Sequence, residues 1–213
     1  MSPATVFTLH TFILLHYFLV VGQSAPVSPP PLFKEAAESA KMLVEKILDD
    51  VVTVHAAAVN TEGLTLEPSA HTTTLQMMAM TLGIPAAPVL KPLSERFTLD
   101  TCLSHMLAGS QLYQGLMGVL SSRLSGLGDL QADLRDLQTS INGMKELAQT
   151  NGGGSVTDDH QYDNLDLASR LHGNYEVQVA AHLTLAQLRS FCHDLIRSLR
   201  AVATYRPQVA GAR

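Results

Sequence analysis

Apolar residues recur every third or fourth position along four long stretches of the chain, and polar residues fill the gaps. That spacing lines one face of an α-helix. The most regular stretch is Leu127, Leu130, Leu134, Leu137, Ile141, Met144 and Ala148, which predicts a helix over 127–149. Over 33–59, Ala36, Ala40, Leu43, Ile47, Val51, Val54 and Ala58 share a face. Lys34, Glu38, Lys41, Glu45 and Asp49 take the opposite one. Over 99–124 the seam is Leu99, Leu103, Met106, Ser110, Tyr113, Met117 and Leu120. Thr98 stands ready as its N-cap and Asp100 lies in its first turn. Over 174–204 it is Leu188, Cys192, Leu195, Leu199 and Val202, with Pro207 beyond the end. No stretch shows strand alternation, so the chain reads as all-α.

The second stretch carries a cost. Gly109, Gly115 and Gly118 interrupt it, and each interior glycine costs a helix about 1 kcal/mol relative to alanine. Small residues beside a seam let a neighbouring helix approach closely, which offsets that loss.

Connection lengths set the expected topology. A helix of about 26 residues is roughly 40 Å long, so parallel neighbours need a link of at least about 12 extended residues. The links over 60–98 and 150–173 are long enough. The link at Gly126 is short and forces antiparallel neighbours. Long, short, long predicts an up-up-down-down four-helix bundle with two long crossover loops.

At the N-terminus, FILLHYFLVV precedes the small residues Gly22 and Ser24. This reads as a secretory signal over 1–24, cleaved after Ser24, since the apolar run is too short to span a membrane. A proline-rich tail (25–32), a helical domain (33–204) and a short C-terminal tail (205–213) complete the expected organisation. The expected mature product is secreted and extracellular.

Composition narrows the function. Hydrophobic residues make up 46% of the 213, aromatics 5%, and tryptophan is absent, so aliphatic side chains do the packing. The net charge of −5 comes with no basic run, which argues against nucleic acid and against insertion at an anionic membrane. No G-x-S-x-G, H-E-x-x-H, C-x-x-C or phosphate loop occurs, and no enzyme or cofactor is expected. His182 and His193 lie eleven apart on one helix, too far to share a metal. The DDHQYD run at 158–163 reads as a solvated loop. A secreted amphipathic lipid-binding protein is a rival, but it calls for broad apolar faces flanked by lysines.

The stretch CLSHMLAGSQLYQGLMGVL, with LGIPAAP at 82–88, LGDLQADLRDLQTSI, and LRSF and RSLRAV in the last helix, resembles the interleukin-6 group of long-chain four-helix cytokines. The likeness covers about 33–202. The group's signature has two cysteines ten positions apart, then Gly, Leu, an aromatic and Leu. Cys102, Gly109 and Tyr113 fit it, Ser110 stands where Leu is usual, Met117 replaces Leu, and Pro92 takes the first cysteine's place.

The resemblance implies a growth factor of the immune response and haematopoiesis that is itself a monomer, by family habit rather than by any residue. It would dimerise a class I cytokine receptor in a 2:2 complex and promote proliferation, differentiation and survival of granulocytes. Another interleukin-6-like cytokine is the alternative within the class. The implied receptor contacts are Asp133 and Asp136, with Asp129, on the third helix and Glu45, Lys41 and Glu38 on the first. A second contact would draw on Glu67, Thr73, Thr74 or Leu75. With Cys102's family partner missing, pairing with Cys192 stays open. It would close a loop of about 90 residues, worth up to about 4–5 kcal/mol. Register favours two unpaired thiols, because Cys192 lies roughly 15 Å before its helix end and a disulfide needs Cα atoms within about 7 Å.

Overall fold

The computed structural model describes residues 31–66, 72–149 and 167–205. Among them are six helices and no strand: α1 (Pro31–Ala58), α2 (Thr72–Leu82), α3 (Leu99–Ser121), α4 (Gly128–Gln149), α5 (Leu167–Arg170) and α6 (Asn174–Thr204). The expected signal peptide, most of the proline-rich tail and the DDHQYD run lie outside the described residues.

Local sequence explains the ends. α1 begins at Pro31, so Pro31 and Leu32 belong to the helix and not to the expected tail. Proline is suited to a first turn, where its missing N–H has no partner to lose. Thr98 caps α3: its Oγ1 accepts from the N–H of Thr101 at 3.2 Å. Between α3 and α4, Gly126 takes a φ of 85°, a left-handed conformation open to glycine at little cost. α1 closes against α6, where Gln178 Nε2 donates to the Ala58 carbonyl at 2.9 Å and Gln178 Oε1 accepts from the N–H of Asn60 at 2.6 Å. One amide thus satisfies two backbone groups at a helix end, where such groups lack helical partners.

α1 packs on α6 and α4, and α3 packs on α4 and α6. The short α2 lies on α6 and α5 lies on α3. In the α3–α4 pair, Lys145 Nζ donates to Ser104 Oγ at 2.9 Å and Gln138 Nε2 to Gln114 Oε1 at 3.3 Å. In the α1–α6 pair, Glu45 meets Arg200 and His55 meets His182. Residue numbers run in opposite directions across both pairs, so each is antiparallel. The result is an all-helical bundle around one aliphatic core.

The α4 seam is buried from Leu127 to Met144, with Ala148 half-buried at its end. In α1 the buried stripe is offset from the expected one. Phe33, Ala37, Ala40, Val44, Ile47, Val51, His55 and Ala58 face the core, whereas Ala36, Leu43 and Val54 only flank it. Every residue of α6 from Val177 to Leu185 is buried, as a helix segment enclosed by neighbours on several sides must be. The α2 helix lies within the expected connection over 60–98.

A Cβ built on Gly109 would lie 2.2 Å from Phe191 Cζ and within 3 Å of two more ring atoms. The missing side chain is the notch that seats Phe191. That ring also lies against Tyr113, with centroids 5.4 Å apart. Cys102 and Cys192 are free and buried, which removes the bridge that the sequence left open. Burial pushes their thiols up, to about 11 for Cys102 and about 12 for Cys192.

Candidate functional site

The charged residues singled out from sequence sit on α1 and α4, and the structure sorts them onto two edges of α1. Lys41 Nζ bonds Glu38 at 2.8 Å, one helical turn away. The ammonium of Lys41 lowers the Glu38 carboxyl below its ordinary range, as an adjacent cation does. Glu45 lies 3.9 Å from Arg200 of α6. Glu38, Lys41 and Glu45 therefore line the edge of α1 that borders α6.

The other edge borders α4, and Lys46 is the residue that reaches across. Its Nζ bonds Asp133 of α4 directly, and also Asp50 on its own helix at 3.0 Å. Those carboxylates, Asp133 foremost, raise the Lys46 ammonium above its ordinary range. Asp133 is accordingly half-buried with a cation in place, its side chain 14% exposed. Asp129 and Asp136 lie one turn before and one turn after it on α4, and both are exposed. Along the outer crest of α1, Met42 stands 66% exposed beside this charged rim.

The residues named for a second contact are spread out. Thr73 and Thr74 are exposed in the first turn of α2, while Leu75 is half-buried against the core. Glu67 lies outside the described residues. His193 is exposed, and His182 is buried against His55. No group of three or more metal-ligating side chains occurs among the described residues. No helix there is long and apolar enough to cross a membrane.

Sequence reasoning passed over Lys46, His55 and Gln178. Lys46 lay between two core positions and its partner was 87 residues away. His55 carried a signal, since it continues the spacing Val44, Ile47, Val51.

These features define a helical-bundle protein with a charged rim on α1 and α4 and without a metal cluster among the described residues. No protein-family model matches the chain. Two curated relatives do. Granulocyte colony-stimulating factor of Bos taurus is 35% identical over 75 residues, covering 33% of this chain and 38% of the relative. The same-named protein of Ovis aries is 35% identical over 75 residues, covering 33% and 43%. The chain thus spans less than half the length of the curated relatives it matches. Over that third of its own length it is a distant relative of granulocyte colony-stimulating factor.

Proposed function

We propose that the chain is a secreted cytokine that binds and dimerises a class I cytokine receptor of the granulocyte colony-stimulating factor type. It acts as a monomeric ligand in a 2:2 complex and promotes granulocyte proliferation, differentiation and survival. The observation that carries this reading is the 35% identity to two granulocyte colony-stimulating factors, found in a chain that folds as a helical bundle. The antiparallel pairs α1–α6 and α3–α4, with α1 also packed on α4, fit an up-up-down-down bundle with long crossovers over 60–98 and 150–173.

In this reading the receptor lies over α1 and α4. Asp136, Asp129 and Asp133 present carboxylates to receptor arginines, whose planar forks bind carboxylates in pairs of hydrogen bonds. Glu45, Lys41 and Glu38, on the far edge of α1 beside α6, carry the contact across that helix, and Thr73, Thr74 and Leu75 with Glu67 belong to a second one. The ligand performs no chemistry. Its work is to hold two receptor chains at a fixed spacing, which requires a stiff bundle and a few strong contacts.

Binding of the mature chain to a granulocyte colony-stimulating factor receptor ectodomain tests this. The wild type is expected to bind, and an Asp133→Ala, Asp136→Ala double variant of unchanged helicity to lose about 2 kcal/mol or more. Retained affinity in the variant would move the contact elsewhere. No binding by the well-folded wild type would overturn the receptor assignment.

A further inference from the structure

Two imidazoles meet inside the bundle. His55 of α1 and His182 of α6 are 6% and 3% exposed. His55 Nε2 lies 3.0 Å from His182 Nδ1, with the rings edge to face at 67°. At that distance one nitrogen donates its proton and the other accepts it, so the pair is closed while both rings are neutral. A further proton turns the acceptor into a donor. It removes the bond and leaves a charge in a site with little access to water.

Among the described residues, neither ring is bonded to a carboxylate. On α1 the nearest acids are Asp49 and Asp50, and Asp50 is bonded to Lys46 at the rim. On α6, Glu176 lies before the pair, and Arg189 after it gives its guanidinium to the Leu66 carbonyl. Among the described residues of α2, α3 and α4, no titratable group perturbs either ring: His55 responds to burial and to His182, and His182 to burial.

We propose that the His55–His182 pair is an acid-sensitive latch, which holds α1 to α6 while both rings are neutral and parts when acid adds a proton to it. Burial, with His182 second, pushes His55 down to about 4, and burial lowers His182 as well. Both rings titrate near 6.5 in an unfolded chain, so the unfolded state takes up protons first. The latch is therefore fully effective above about pH 6.5 and is lost as pH falls towards about 4. One helical turn from His182, Gln178 ties Ala58 and Asn60 to α6 through neutral groups that the proton does not reach.

Urea unfolding of the full mature chain at pH 7 and pH 5, for the wild type and a His55→Gln, His182→Gln variant, tests the latch. His55 alone should lower the wild type's folded-to-unfolded ratio by roughly twentyfold between those pH values. The variant, which keeps hydrogen-bonding side chains but cannot gain the proton, should lose most of that fall. Parallel pH profiles for the two proteins would overturn the proposal. Should the variant not fold, the imidazole resonances of the wild type decide. Titration of both rings at lower pH than an ordinary imidazole supports the latch, and ordinary midpoints near 6.5 for both refute it.

Discussion

Phe191 occupies a space that exists because residue 109 has no side chain. A methyl group there would push the ring out of a packed core, and overpacking of this kind costs about 1–3 kcal/mol. Gly109→Ala should therefore lower the unfolding free energy measured in urea by about 1–3 kcal/mol, although alanine is the better helix former. A stabilised Gly109→Ala protein would mean that the ring moves aside freely. The cysteines give a second expectation at this scale. Thiolates are the reactive species, and burial holds both thiols well above neutral pH. Alkylation of the native chain at pH 7.5 should be slow and should accelerate once urea unfolds it; rapid labelling of native protein would show that the thiols are accessible.

At the scale of the helix, legibility in the sequence followed the number of competing stripes. α4 offered one apolar stripe between charged residues, and its six leading positions are the buried ones. α1 offered two, because Ala36 and Ala37, Leu43 and Val44, and Val54 and His55 are adjacent. Periodicity cannot choose between stripes one residue apart; packing against both α4 and α6 does. The rim was legible in the same partial way. Asp129, Asp133 and Asp136 stand out as a stripe on one helix, but the cation that meets Asp133 belongs to another. Lys46→Ala should leave the urea midpoint nearly unchanged, since exposed ion pairs contribute little. In a receptor-binding assay it should tighten binding by freeing Asp133; weaker binding would make Lys46 itself a contact. Leu137→Ala, in the middle of the α4 seam, should cost about 2–5 kcal/mol in the same unfolding measurement.

The bundle as a whole is held by aliphatic packing, with the amide of Gln178, the guanidinium of Arg189 and the paired imidazoles as polar ties between elements. The expected order of long and short connections came from chain length alone, but what fills them did not. α2 is an 11-residue helix whose Met77 and Met80 face solvent while Leu75 and Met78 lean on the core. Its apolar face is too short to stand out as a periodic stretch.

The two unpaired thiols have a consequence for how the chain is made. A bundle whose native state contains no sulfur–sulfur bond has no oxidation step on its folding route. It should fold in a reducing cytosol without an oxidant, and a reductant should leave its melting temperature where it was.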